Sequence, residues 1–140
     1  MTAPAIRFPD PQRATRDALR VLLPLYALDA SVSMSRPDMA EGVPLPRPHI
    51  RVRSGAPIRT SPVSASADVR LTVFADDEGA AMALAADVEA LALAELSSDA
   101  LLGFGALSGP VPGTDTDTGR PIALVSLSAR LRPHHLLRKD

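Results

Sequence analysis

Five carboxylates stand in two short runs of the sequence and could in principle bind a hard cation. Asp76, Asp77 and Glu78 are consecutive, and Asp115 and Asp117 lie in a polar segment further along. Carboxylate oxygens are ligands that Mg²⁺ and Ca²⁺ prefer. The first run, however, stands where a helix N-terminus favours acidic residues, and the second lies in a predicted turn, where Asp bonds its own backbone. We therefore predict structural capping, with no metal and no cofactor.

The histidines and serines form no recognisable catalytic set. His134 and His135 are adjacent, so their side chains point to opposite sides of an extended chain, and no third ligand is near. His49 stands alone, no serine sits in a GxSxG turn, and no glycine run matches a phosphate-binding loop. The sequence also has no cysteine, which removes thiolate nucleophiles and ligands. We predict a protein that is not an enzyme.

Three arginines are the most informative polar residues. Arg51, Arg53 and Arg70 alternate with apolar residues on two predicted strands, so they share the face opposite the core. One interpretation is a solvated sheet face, since exposed sheet faces are commonly polar. The other is a subunit interface, because Arg is enriched at protein interfaces. The arginines would then pair with carboxylates of a neighbouring subunit, for which the candidates are Asp87, Glu89 and Glu95.

Charge and composition argue against nucleic acid or a membrane as the main partner. The 140 residues carry a formal net charge of −1, with one Tyr, three Phe and no Trp to stack on bases. No segment approaches the roughly 20 apolar residues that cross a bilayer, and the first eleven residues hold no apolar run of signal-peptide length. We expect one soluble domain over residues 1–140, made in the cytoplasm, with 1–9 and 133–140 as flexible or interface tails.

Patterning predicts two helices. Asp10 and Pro11 form a helix-start signal, and the first helix should end or kink at Pro24. A second helix should begin near Asp76 and run to about Leu96. This second helix is apolar on nearly every side, so it should be covered on more than one face. In a chain this short, a neighbouring subunit is a reasonable source of that cover.

The rest of the chain predicts a sheet with two long connections. Residues 36–48 contain four prolines and should form a loop or extended arm, and residues 54–67 should form a long, exposed hairpin loop. Strands are predicted over residues 28–35, 49–53, 68–74, about 101–111 and about 122–132. The fold class is therefore α+β, with a mainly antiparallel four- to five-stranded sheet and two helices packed on one face.

The order of these elements resembles a known family. The segments that carry the likeness are DPQRATRDALRVLL, VPLPRPHIRVRSG, ADVRLTVFADDEGAAMALAADVEALALAEL, LSGPVPGTDTDTGRP and IALVSLSARLR. In composition and order, over about residues 10–132, they resemble the tail terminator proteins of long-tailed (siphovirus) bacteriophages, particularly those of phages that infect actinobacteria. The long Ser-rich loop predicted over 54–67 departs from the family pattern.

The resemblance implies a structural virion protein that forms a ring, usually a homohexamer, on the head-proximal end of the tail tube. Such a ring ends tube polymerisation at the virion neck and binds the major tail tube protein and a head–tail connector or stopper protein. Double-stranded DNA would pass through its lumen without specific binding. Assembly would take place in the bacterial host cytoplasm, with no cofactor and no membrane.

Applied to this chain, the resemblance assigns two sets of contacts. Contacts between subunits fall on the three arginines and on the exposed side of residues 78–96. Contacts with the tube or the neighbouring ring fall on the proline-rich arm, the loop after it and the polar turn. The candidates there are Arg36, Arg47, Arg59, Asp115 and Asp117.

Two alternatives stay open at this point. The chain could be another ring of the head–tail connector, a stopper or an adaptor, although stoppers are usually richer in strands and adaptors richer in helices. It could also be a small metal- or nucleic-acid-binding domain that uses the acidic or basic residues above.

Overall fold

The computed structural model describes residues 5–40 and 42–138, which form two helices and eight strands. The elements in chain order are β1 (Ile6–Arg7), α1 (Pro11–Leu25), β2 (Ser31–Ser33), β3 (His49–Ser54), β4 (Ile58–Ser61), β5 (Ser64–Phe74), α2 (Glu78–Glu95), β6 (Leu101–Thr114), β7 (Pro121–Leu131) and β8 (His134–His135).

Both helices begin where their capping residues predict. The Asp10 carboxylate accepts hydrogen bonds from the amides of Gln12 and Arg13, and Pro11 occupies the first helical position of α1. Pro24 lies in the last turn of this helix, which confirms the predicted end. At the start of α2, the Asp77 carboxylate accepts from the Ala80 amide at 2.7 Å. The capping role predicted for this acidic run is therefore confirmed for Asp77.

The strands confirm the α+β class and give a sheet one strand larger than predicted. Its order is β2-β3-β5-β7-β6, and β4 also pairs with β5. Only the β2–β3 pair is parallel, and the other pairs within this sheet are antiparallel. A separate two-stranded ladder joins β1 to β8.

One hydrophobic core lies between the helices and a single face of the sheet. Alternate residues of β5, including Val69, Leu71 and Val73, are buried on that face because side chains of a strand point to opposite sides. Leu19 and Leu23 of α1 belong to the same core. From α2 the core receives Ala81, Leu84, Ala85, Val88 and Ala92. Neither helix of the described residues covers the other face of the sheet, and we call it the open face.

The outer side of α2 is not covered by the described residues of its own chain. Ala83, Ala86 and Ala90 are exposed, and Leu93 is exposed as well. The prediction that α2 needs a second cover is therefore untested in a single chain. Within the described residues, neither helix combines the length and hydropathy of a membrane span.

The prediction of a long loop over residues 54–67 is wrong. This segment contains β4 and the first residues of β5, and Ile58 pairs with Ser66. Pro57 precedes β4 and Pro62 lies in the turn after it, so neither interrupts a strand interior, where proline would remove a ladder hydrogen bond. Ala65 and Ala67 are buried on the core side of β5, so these small residues belong to a strand and not to an exposed loop.

The first predicted strand is shorter than expected. The strand expected over 28–35 is reduced to Ser31–Ser33, and Leu28 and Ala30 pack against the core from outside the ladder. Within the segments expected as tails, Ile6 pairs with His135 and Arg7 with His134. Residues 1–4 and 139–140 of those tails lie outside the described residues.

The backbone of β7 passes so close to Gly109 of β6 that a side chain at this position would clash with it. The φ of Gly109 is +97°, and an added Cβ would lie 3.1 Å from Val125 Cα and closer still to the Leu124 carbonyl. We expect Gly109→Ala to lower the free energy of unfolding by about 2–4 kcal/mol, through backbone strain and overpacking. Urea denaturation followed by circular dichroism measures this loss.

Gly105 on the same strand provides the control, because a Cβ added there would have nothing within 4 Å. Gly105→Ala should leave the free energy of unfolding unchanged or raise it by up to about 1 kcal/mol, because alanine restricts the unfolded chain. Equal losses for the two variants would contradict the close approach of β6 and β7 at Gly109.

Candidate functional site

The open face brings two of the predicted arginines into direct opposition. In the antiparallel pair of β3 and β5, Arg53 lies opposite Arg70 and Arg51 lies opposite Thr72. The prediction that the three arginines share the face opposite the core is therefore correct. It follows from the alternation of side chains along a strand, since the neighbours Ile50 and Val52 are buried in the core.

Arg53 and Arg70 are exposed and have no ion-pair partner among residues 5–40 and 42–138. Like charges directly opposite each other on a sheet destabilise it. An anionic group supplied from outside this part of the chain would relieve that repulsion. The pair therefore has the electrostatic character of a contact surface.

Arg51 has a different environment from its two neighbours. It is half-buried, and its Nε atom is sealed from solvent without a hydrogen-bond partner in the described residues. An unsatisfied buried donor carries a desolvation cost. Arg51 therefore belongs partly to the packing of the sheet, and its replacement would disturb more than a surface.

A cavity of about 370 Å³ lies beside the arginine pair. Besides Arg53 and Arg70 it is lined by Asp68, Leu107 and Ser126, and Leu107 is half exposed. The lining thus has two cations and one carboxylate, together with the apolar residues Val69 and Leu107. This mixture is typical of the polar and apolar contacts in protein interfaces.

The three candidate acidic partners all lie on α2, in the other layer of the fold. Asp87 is exposed and Glu89 is half-buried. Glu95 accepts a hydrogen bond from the Tyr26 hydroxyl at 2.5 Å, and this bond raises the pKa of Tyr26. One chain therefore does not bring these acids to the arginines, and their pairing across a subunit boundary stays a prediction.

The predicted tube contacts are tied to their own chain. Arg36 donates hydrogen bonds to Asp117 and, at 2.8 Å, to Asp115. Arg47 forms an ion pair with Asp29, with 3.4 Å between Nη1 and Oδ1. These pairs join the proline-rich arm to the rest of the fold, so the side chains are already engaged within one subunit.

Arg59 is engaged in a similar way. Its guanidinium lies 4.8 Å from the centre of the Phe8 ring, which is a cation–π contact. It also donates to the Ile6 carbonyl at 2.6 Å. Arg59 thus holds the chain before α1 against β4.

The arm over residues 36–48 is fastened by Asp76 as well as by Arg36. The Asp76 carboxylate accepts from the Leu45 amide at 2.9 Å and from Arg120 at 3.3 Å. Arg120 also donates to the Ala40 carbonyl at 3.0 Å. Asp76, grouped in the sequence with the capping acids, therefore acts as a tie between the arm and the β6–β7 turn.

Asp115 organises the turn between β6 and β7, as its position predicted. Its carboxylate accepts from the Thr118 amide at 3.1 Å and from the Thr118 hydroxyl at 2.5 Å. Burial acts to raise the pKa of Asp115, but the Thr118 hydrogen bonds and the Arg36 charge outweigh it and hold the pKa below its ordinary value. The structural interpretation of this acid is confirmed.

The hydrogen bonds between the buried His49 and nearby serines were not predicted from the sequence. His49 Nε2 lies 3.0 Å from the Ser35 carbonyl, and Nδ1 lies 2.7 Å from the Ser31 hydroxyl. A carbonyl can only accept, so Nε2 carries a proton, and in a neutral ring Nδ1 then accepts from the Ser31 hydroxyl. The only signal in the sequence was the Ser-x-Ser-x-Ser spacing from Ser31 to Ser35, which acquires meaning once β2 pairs with β3.

The Ser31–His49 contact is not organised as a catalytic triad. Where the triad has a carboxylate that orients and charges the base, His49 has a backbone carbonyl. Burial lowers the pKa of His49, the Ser35 bond partly offsets this, and the nearby charges of Arg47 and Arg20 lower it further. The geometry suits a neutral histidine that fixes the start of the arm.

Metal-ligating residues do not gather elsewhere in the described chain. No group of three or more His, Cys, Asp or Glu suited to a metal ion occurs in residues 5–40 and 42–138. His134 and His135 are exposed on β8, where they pair with β1 through the backbone.

The buried neutral His49 makes stability depend on pH. Its folded pKa lies below the ordinary 6.5, so the unfolded chain binds more protons as pH falls below about 6.5. The contribution of His49 is therefore complete above that pH and decreases as pH falls toward the lower folded pKa. We expect the urea midpoint of the native protein to fall between pH 7.5 and 5.0 by more than that of His49→Gln.

Glutamine can form hydrogen bonds and does not titrate between pH 5.0 and 7.5. The carboxylates are the same in both proteins, so they change both urea midpoints equally, and the difference between the two profiles reports on His49. At pH 7.5 the substitution should cost about 1 kcal/mol, the value of a typical hydrogen bond. Parallel pH profiles for the two proteins would contradict the assignment of a neutral, buried His49.

Comparison with known proteins indicates no family for this chain. No protein-family model matches this chain, and no curated protein matches it.

Proposed function

We propose that this chain is a structural subunit of a bacteriophage neck, a tail terminator that closes into a ring on the head-proximal end of the tail tube. The observation that carries the proposal is the opposition of Arg53 and Arg70 on the open face without an ion-pair partner among the described residues. The order of helices and strands, on which the family resemblance rests, also supports the proposal. Both helices pack on one side of the α+β sheet.

The placement of charge favours a head-to-tail contact. The arginines lie on the open face, whereas Asp87 and Glu89 lie on α2 in the opposite layer. A contact between two different surfaces of identical subunits is heterologous, and it gives a ring when the rotation between neighbours closes. The open face of one subunit would then meet the outer side of α2 in the next.

The outer side of α2 is suited to such a contact by shape as well as charge. Its exposed alanines have short side chains, so a neighbouring sheet can pack closely against the helix. Leu93 on α2 and Leu107 on the open face add apolar area. Covering both surfaces would supply the second cover that the apolar sequence of α2 predicts.

Hydrogen bonds and ion pairs within one subunit hold the arm and the β6–β7 turn as preformed surfaces. Arg36, Asp76 and Asp115 hold these segments before any partner binds. Preorganisation lowers the entropic cost of association. We propose that these edges of the ring meet the tail tube protein and the next connector protein, and that DNA passes through the lumen without specific binding.

Charge reversal on each surface tests the ring contact. We expect Arg53→Glu/Arg70→Glu and Asp87→Arg/Glu89→Arg each to remain folded and to lose ring formation, because like-charge juxtaposition costs several kcal/mol. Mixing the two variants should restore rings, since an alternating arrangement makes every contact complementary. Native mass spectrometry and negative-stain images measure both effects.

Arg7→Glu/Arg13→Glu is the matched control, with two exposed arginines reversed away from the open face. It should form rings like the unmodified protein. Rings in either reversed variant alone, or none in the mixture, would refute the pairing of the open face with α2. A protein that stays monomeric beside its tube protein would refute the terminator function itself.

A further inference from the structure

A second surface, distinct from the open face, has the features of a docking site. We call it the α1–α2 groove, a cavity of about 610 Å³ between the second half of α1 and the residues around the end of α2. Its apolar part includes Val21, Leu22 and Leu25. Val21 is 70% exposed and Leu25 is 73% exposed, so this apolar area is not covered within one chain.

The charged residues that line the α1–α2 groove are all acidic. Asp17, Glu95 and Asp99 contribute to its lining, and none of its described lining residues is basic. Asp17 is paired with Arg16, and Glu95 is bonded to Tyr26. An apolar surface with acidic residues around it fits a segment in which apolar side chains are followed by cations.

The chain contains such a segment directly after β8. Leu136 is 56% exposed and Leu137 is 85% exposed. Arg138 follows them and is exposed, and the sequence continues with Lys139. Two adjacent exposed leucines carry a hydration cost that burial would remove.

In the structure this segment does not lie in the groove of its own subunit, whose lining includes none of residues 134–138. In the antiparallel β1–β8 ladder, Arg7 pairs with His134 and Ile6 with His135, and the Leu136 amide donates to the Ala5 carbonyl at 2.8 Å. This pairing holds the start of the segment beside residues 5–7.

We propose that residues 136–138 of one copy dock in the α1–α2 groove of a second copy, with Leu136 or Leu137 on Val21 and Leu25, and Arg138 near Asp17 and Asp99. The occupant follows from complementarity, since the groove is apolar and acidic and the segment is apolar and basic. This contact goes beyond the proposed ring interface, because it uses neither the open face nor the arginine pair. It requires self-association alone and does not depend on a role in a phage tail.

Disulfide trapping tests the contact directly, since the chain has no cysteine of its own. Val21→Cys and Leu137→Cys proteins are mixed and oxidised mildly, and the products are separated without reductant and identified by mass. We expect a heterodimer joined through Cys at positions 21 and 137. Adding Leu136→Ser to the Leu137→Cys protein should lower its yield at least about tenfold, because burial of a leucine is worth more than a tenfold change in an equilibrium constant.

The matched control replaces Val21→Cys with Val43→Cys, another exposed valine that lies outside the groove. Equal yields at positions 21 and 43 would overturn the proposal. So would an intramolecular disulfide in the double variant Val21→Cys/Leu137→Cys, seen as a monomer two hydrogens lighter, because the segment would then fill its own groove. Rings without the cross-link would refute this contact and leave the proposed ring interface intact.

Discussion

The packing of one row of β5 side chains against both helices is the constraint on which the rest of the structure depends. Val69, Leu71 and Val73 lie at the centre of the sheet and are almost fully buried. Since the period of a strand is two residues, fixing this row in the core also fixes Asp68, Arg70 and Thr72 on the opposite face. A single register thus separates the apolar layer from the face that carries the arginines.

A second set of interactions turns the long connections into defined surfaces. The proline-rich arm cannot pair along the sheet, so its position depends on side chains from elsewhere in the fold. Asp76 bonds the Leu45 amide, and Arg36 reaches Asp115 and Asp117. The neutral His49 is placed under the start of the arm by β3, and it contacts the Ser31 and Ser33 hydroxyls because β2 pairs with β3. Structural acids and a structural histidine therefore occupy positions that resemble functional sites in the sequence.

The surfaces left uncovered by these interactions lie in different layers of the fold. The open face carries cationic residues, the outer side of α2 carries small and acidic residues, and the α1–α2 groove is apolar with acids in its lining. Surfaces of complementary character on different sides of one subunit suit contacts that propagate from copy to copy. The two proposals share this physical basis, although each relies on its own residues.

The sequence by itself determined the local elements, and the tertiary structure decided what joins them. Asp10, Pro11 and Asp77 specify helix starts through interactions within one turn, and the alternation in β3 and β5 assigns the three arginines to one face. Strand β4 escaped prediction because Pro57 and Pro62 suggest a loop unless their places at its ends are known. The pairing of Arg36 with Asp115, 79 residues apart, and the shortening of the strand after α1 were likewise beyond the sequence. Caps and alternation act over a few residues, whereas ion pairs, strand partners and grooves depend on distances that only the folded chain establishes.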